Sequence, residues 1–333
     1  MRITVTGGAG YIGSHTTVAL LDEGHEVLIL DNFTNAEHDV PDRVAAIAGQ
    51  GAKVVEADIT DPASYRRQLA AFSPDAVIHF AGLKAVGEAG DIPLEYYRVN
   101  VAGSVTLFRE MDAIGCSRLV FSSSATVYGD PDQVPIPEDH PLRPTNPYGH
   151  SKRMVEQIVE DWGRANPALA AVNLRYFNPV GAHPSARIGE APQGVPNNLM
   201  PYVAQVAAGW RDELSVFGDD YDTPDGTGVR DYIHVMDLAA AHLAALGLTG
   251  QGPGVQAINV GTGRGYSVLE MIGAFETASG RDIPYVITDR RPGDIATSLA
   301  DPARAEARMG WRATRDLQDM CDDAWAWQRG RNR

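Results

Sequence analysis

Two cysteines in 333 residues, Cys116 and Cys321, are too few for a disulfide framework and stand at no metal-ligating spacing. We expect both to be inert buried thiols of a reducing compartment, and no metal is expected. Basic residues are scarce too: 28 Lys and Arg against 43 Asp and Glu leave a formal charge of -15. Such a surface repels nucleic-acid backbones and anionic lipid headgroups, so neither is an expected partner. A phosphate-bearing ligand must then be met by a few local positive groups. No apolar run approaches membrane-spanning length, and Arg2-Ile3-Thr4-Val5-Thr6 reads as a strand rather than a leader, which makes a cytoplasmic protein the expectation. Internal repeats, heptads, low-complexity stretches and disordered blocks are missing as well. What is present, 44% hydrophobic and 21% charged residues, suits an ordinary globular chain with room for one large domain or two interleaved ones.

Apolar strand-like runs at 2–6, 25–30, 52–56, 75–80, 118–122 and 170–176 alternate with helix-length segments, the mark of βαβ units and a parallel sheet. Past Asn178 the pattern is less regular. The chain is rich in Pro, Gly and Asn to about Thr227, and short strands (Leu214 to Phe217, Arg230 to Val235, Ala257 to Val260, Tyr285 to Thr288) mix with helices such as Met236 to Leu246.

The first strand ends at Thr6, and the turn Gly7-x-x-Gly10-x-x-Gly13 opens a helix. Glycines there permit a tight bend and let the backbone approach a pyrophosphate, which the helix N-terminus attracts. Asp31 closes the next strand, where a carboxylate accepts hydrogen bonds from an adenosine ribose and repels a 2′-phosphate, favouring NAD over NADP. Further candidates stand at later strand ends: Asp58-Ile59, and Phe80-Ala81-Gly82 with Lys84; Asp58 reads equally well as a capping residue. The expected fold is α/β, a Rossmann-type doubly wound parallel sheet over 1–177 with some later segments returning to it. A smaller mixed α/β C-terminal substrate domain is expected over 178–333.

Ser122-Ser123-Ser124 closes the strand that starts at Arg118, at the carboxyl edge where open α/β sheets bind ligands. Downstream, Asn146 suits a helix cap and Pro147 a first helical position, so Tyr148 and Lys152 fall on one face of a helix, one turn apart. Val155, Ile158 and Trp162 form an apolar stripe with that pair at its edge. A free phenol titrates near ~10. An ammonium within a few ångströms and the positive end of the helix are expected to lower it and make Tyr148 a base.

Longer blocks carry a resemblance: TGGAGYIGSHT at 6–16, LDN at 30–32, HFAGLKAVGE at 79–88, FSSSATVYGD at 121–130, NPYGHSK at 146–152, RYFNPVGAHPS at 175–185, PNNLMPYVAQVA at 196–207 and DGTGVRDYIHVMDLA at 225–239. Through these, nearly end to end, the chain resembles the extended short-chain dehydrogenase/reductases, in particular their UDP-hexose 4-epimerase branch. The resemblance implies an isomerase that interconverts UDP-glucose and UDP-galactose at C4 through a transient 4-keto sugar, with tightly bound NAD and no net redox change. Tyr148 would then take the proton of the sugar 4-hydroxyl, Lys152 would assist the phenol and hold the cofactor ribose, and Ser124 would orient the hydroxyl.

The same resemblance places Gly7, Gly10, Tyr11, Ile12, Gly13, Asp31, Asn32, Asp58, Ile59, Phe80, Ala81, Gly82, Lys84, Ser122, Tyr148, Lys152 and Phe177 around NAD. It places Lys84, Ser124, Tyr148, Asn178, Asn198, Leu199, Val216, Phe217, Arg230, Arg291, Asp294 and Ser298 around the nucleotide sugar. Two arginines for a diphosphate make chemical sense in so acidic a chain.

Val99 stands where bacterial members carry an asparagine touching the cofactor, with Asn100 beside it. Ser298 stands where strictly glucose/galactose-specific bacterial members carry a tyrosine, which implies room for an N-acetyl group and turnover of UDP-GlcNAc and UDP-GalNAc. A homodimer joined through helices near 95–114 and 148–163 is implied too. A 4,6-dehydratase would need an Asp-Glu pair after the strand-end residue, where this chain has Ala125-Thr126. A uronate decarboxylase or another C4 epimerase stays open. A non-catalytic NAD-sensing module commonly lacks the tyrosine or lysine that are present here.

Overall fold

Valine, isoleucine and leucine runs become parallel strands in the order that a doubly wound sheet requires. The structure, a computed structural model, describes residues 1–291 and 293–331. Along the chain come β1 (Arg2–Thr6), α1 (Tyr11–Asp22), β2 (Glu26–Asp31), α2 (Val40–Ala48), β3 (Lys53–Glu56), α3 (Arg66–Phe72) and β4 (Ala76–His79). Next, α4 (Val86–Asp91) and α5 (Pro93–Tyr96) lead through a π-helical turn, Tyr97–Ala102, into α6 (Gly103–Ala113). Then follow β5 (Arg118–Ser122), α7 (Pro147–Ala165) and β6 (Ala170–Tyr176). The later half holds β7 (Asn178–Val180), α8 (Leu199–Ala207), β8 (Leu214–Phe217), β9 (Val229–His234), α9 (Val235–Thr249), β10 (Gly254–Val260) and β11 (Gly265–Ser267). It closes with α10 (Val268–Ser279), β12 (Tyr285–Thr288), β13 (Thr297–Ser298), α11 (Ala303–Met309) and α12 (Leu317–Arg329).

The large sheet has seven strands in the order β10-β6-β5-β4-β1-β2-β3, all paired in parallel. Its order reverses between β1 and β4, so the crevice past their carboxyl ends is the switch point where such sheets hold ligands. The sequence grouped Ala257 to Val260 with the short strands of the later half. In the structure that run belongs to β10, which pairs with β6, because Ile258 and Val260 complete the core formed by Val172 and Leu174.

A second core, around Met200, Val203, Met271, Phe275 and Met320, lies under the small sheets. One of these sheets orders β11-β9-β13 with β7 also on β9, and β12 pairs with β8 in another. Only Phe177 separates β6 from β7, so the chain passes directly from the carboxyl end of β6 to the small sheet that contains β7. Cys116 and Cys321 are both buried and unbridged, and burial pushes their thiols up, that of Cys321 to about 12.

Candidate active site

The glycine turn has the shape that a dinucleotide needs. Gly7 sits at φ 67°, and a Cβ there would lie 2.8 Å from the Ala81 nitrogen. A Cβ on Gly13 would come within 2.1 Å of the Gly7 carbonyl oxygen. Gly10 caps α1 with no side-chain hydrogen bond, so the first-turn N–H groups, those of Tyr11, Ile12 and Gly13, stay available to an anion. Asp31 is buried at the end of β2, where its carboxylate accepts from the amides of Ala9 and Phe33 at 2.9 Å each. Burial pushes this carboxyl up against the backbone N–H groups that pull it down. Asn32 and Asp58 hydrogen-bond across the ends of β2 and β3, and Asp58 also accepts the amide and hydroxyl of Thr60. Burial raises the Asp58 carboxyl, and these hydrogen bonds outweigh it, so its pKa is lowered. Asp58 thus closes a local turn with Thr60, while the cap of the short helical turn that follows is Asp61, and Ile59 is buried beside Asp58.

Phe80 and Ala81 leave β4 with both amides on the Thr6 carbonyl, which brings the strand end against the glycine turn. Asn100 is buried and ties Leu83 to Ser151, while the neighbouring Val99 is half-buried in the π-helical turn. These features fit NAD: an uncapped helix start, a backbone that a side chain would block, and a fixed ribose-type acceptor.

Asn146 caps α7 by accepting the Gly149 amide at 2.8 Å, with Pro147 at the first turn, as the sequence requires. Tyr148 and Lys152 share a face and are buried at 6% and 5% exposure, Tyr148 packing in a small cluster beside the core that Val155 joins. The Lys152 ammonium donates to the Ser122 carbonyl at 2.8 Å and lies 5.8 Å from the centroid of the Tyr148 ring. Ser124 hydrogen-bonds Tyr148, and Ser122 shares a 2.8 Å hydrogen bond with the Tyr176 hydroxyl.

One expectation is corrected. The sequence had the cation lowering the phenol; burial wins, with Tyr176 adding to it, and Tyr148 is pushed well above its ordinary value against the pull of Ser124. The reason is geometric: the ammonium is anchored on a carbonyl rather than on the phenol oxygen, and burial brings Lys152 itself down to about 8, with Glu156 opposing.

The expected sugar-nucleotide residues gather in two places. Arg230 on β9 lies in register with Ser298 on β13, and Asn178 on β7 in register with Tyr232, all in one small sheet. Arg291 stacks 4.6 Å over the Phe217 ring and pairs with Asp294 at 3.0 Å. Both arginines act on the buried Tyr232 phenol, which places their charges near one another. Val216 points into the second core at 1% exposure, and its carbonyl accepts the Thr288 hydroxyl at 3.3 Å. Leu199 begins α8 beside that core, and Phe177 is buried where β6 hands over to β7. Lys84 and Asn198 both donate to one oxygen of Glu190, at 2.8 and 2.9 Å. Glu190 escaped the sequence reading, since nothing local marks it. Glu156 escaped it also, although its place one turn beyond Lys152 on the same face was a usable signal. Among the described residues, no group of three or more His, Cys, Asp or Glu is arranged to hold a metal.

Comparison with known proteins places this geometry. The model of the NAD dependent epimerase/dehydratase family matches residues 3–261. A UDP-glucose 4-epimerase of Bacillus subtilis is 56% identical over 328 residues, covering 98% of this chain and 97% of that protein. A crystal structure of UDP-glucose-4-epimerase from Stenotrophomonas maltophila, with bound NAD and formylated UDP-arabinopyranose, superposes with a TM-score of 0.97 at 50% identity, covering 99% of this chain and 98% of that one. One from Bifidobacterium longum, in complex with NAD+ and UDP, gives 0.96 at 49% identity over the same shares. With the family's model matching most of its length and a relative 56% identical over nearly all of it, the chain belongs to the NAD dependent epimerase/dehydratase family.

Proposed function

We propose that this protein interconverts UDP-glucose and UDP-galactose by reversible epimerisation at C4, through a transient 4-keto sugar and with tightly held NAD. The observation that carries this reading is the meeting of Tyr148, Lys152 and Ser124, all buried, at the carboxyl edge beside the glycine turn. Held on that turn by the first-turn amides of α1 and by Asp31, NAD would supply the hydride acceptor. Tyr148 takes the proton of the 4-hydroxyl, Ser124 orients the oxygen, and the Lys152 ammonium stabilises the developing phenolate in a site from which water is excluded. A phenol that burial pushes up is a strong base once ionised and holds the proton it takes, until the alkoxide formed when the keto sugar is reduced, a stronger base still, reclaims it. Arg230 and Arg291 hold the diphosphate. Anchoring through the UDP handle leaves the sugar free to turn over and be reduced on its other face. Purified protein given UDP-galactose without external oxidant equilibrates it with UDP-glucose; a different product sugar, or none, overturns the reading.

The same reading extends to the N-acetylated pair. Ser298 adjoins Arg230 in register, and a serine there takes up less space than a tyrosine would, which supports room for an N-acetyl group. Wild type turns over UDP-GlcNAc, and Ser298→Tyr lowers that rate at least tenfold while sparing UDP-glucose; no wild-type turnover of the acetylated pair ends the idea. A homodimer in the cytoplasm completes the proposal. Leu94, 82% exposed, and Met154, 44% exposed, lie on α5 and α7, which pack together and offer an apolar surface to a second copy. Among the described residues, no helix is long and apolar enough to cross a membrane.

A further inference from the structure

Tyr148, Lys152 and Glu156 follow one another at i, i+4 and i+8 on α7, so the carboxylate continues the face that carries the reactive pair. Glu156 is fully buried and every contact it makes is specific. Its Oε1 accepts the Ser123 hydroxyl at 2.6 Å and Arg175 Nε at 2.9 Å, while Oε2 accepts Arg175 Nη2 at 2.7 Å. Arg175 is pinned in turn by the Tyr128 hydroxyl at 3.1 Å and the Glu138 carbonyl at 2.9 Å. Ser123 lies between Ser122, whose carbonyl anchors Lys152, and Ser124, which hydrogen-bonds Tyr148. One carboxylate thus reaches the reactive pair by two routes, through the helix and through the strand end.

The groups facing the Lys152 ammonium are Tyr148 and Glu156 from α7, the Ser122 carbonyl and Phe121 ring from β5, and His79 from β4. Only Glu156 among them carries a negative charge. His79, buried and bonded to Thr6 and Ser104, is held neutral, and burial works against the ammonium.

We propose that Glu156 is a positioning residue of the reaction: it keeps Lys152 charged in an apolar site and fixes the Ser122–Ser124 strand end to which the phenol and the ammonium are tied. A purely structural ion pair would contribute only to folding, and buried pairs often contribute little even there. The proposal rests on the epimerase reading, so the test uses NAD-loaded enzyme and UDP-galactose, with wild type measured first. Absence of wild-type turnover would defeat that reading; the present inference is judged on the variants relative to wild type.

Removing the charge in Glu156→Gln lowers the Lys152 pKa further, so the alkaline limb of the kcat profile moves to lower pH by about one unit. At pH 8, with the wild-type ammonium titrating at about 8, that appears as a loss of about fivefold in kcat with little change in KM. Glu156→Asp keeps the charge and leaves the limb at its wild-type pH. Should Glu156→Gln alone fail to fold, Glu156→Gln with Arg175→Met removes both charges together and is expected to move the limb in the same direction. Ser123→Ala keeps the ion pair, lowers kcat and does not move the limb. A charge-free variant with the wild-type pH profile overturns the proposal, as does an equal shift in Glu156→Asp.

Discussion

In the proposed reaction Tyr148 decides the chemistry, and its surroundings make it a strong base once a proton has left it. Burial raises the phenol, Ser124 opposes, and Lys152 stands 5.8 Å from the ring centroid, donating to the Ser122 carbonyl. Tyr148→Phe deletes the proton acceptor while leaving the ring to fill its buried space, so turnover falls by about 10³-fold. The fold and bound NAD are retained, which cofactor release on denaturation followed by absorbance checks. Loss of NAD together with activity would instead give the phenol a role in holding the cofactor. The direction of the Tyr148 shift was not legible from spacing. An i,i+4 pair tells that two side chains are neighbours, but not which oxygen the ammonium chooses, and here it chooses a carbonyl on another element.

At the scale of elements, what the sequence shows best is what a few consecutive residues determine. The glycine turn into α1, the Asn146-Pro147 start of α7 and the serines closing β5 are local chemistry, and each lies where the motif puts it. Asn146 holds the Gly149 amide at the start of the turn that carries Tyr148. Asn146→Ala costs about 1 kcal/mol of stability, read as a lower unfolding midpoint, and loosens the phenol enough to lower kcat. An unchanged midpoint would deny the cap its role. Pairings between distant residues were hidden from the sequence. Nothing in 254–260 says that β10 joins the large sheet, since an apolar strand fits either unit until its partner is known. Glu156 meets Arg175 across helix and strand, and Glu190 meets Lys84 from 106 residues away, so only the fold brings these charges together. Val216 alternates inward from Phe217 because β8 covers the second core, and strand period alone left open which of the two faces out.

For the whole molecule, the large sheet gives a floor, and one small sheet groups Arg230, Ser298 and Asn178. That floor depends on buried neutral imidazoles. Burial lowers His15 and His79 to about 3 and His242 to about 4. The unfolded chain takes up protons at these rings below their ordinary value of 6.5, and the folded chain does not. Stability is therefore greatest above about pH 6.5 and declines as pH falls toward 4, by about 2 kcal/mol for each ring at pH 5. Urea unfolding at pH 7.5 and 5 measures it; equal midpoints would contradict the burial of these rings. The central claim, that one carbon is oxidised and then reduced within a single site, has a direct test in UDP-galactose carrying deuterium at C4. The account predicts UDP-glucose that keeps the deuterium at C4 with inverted configuration, formed without added oxidant. UDP-glucose whose C4 hydrogen comes from solvent would contradict it.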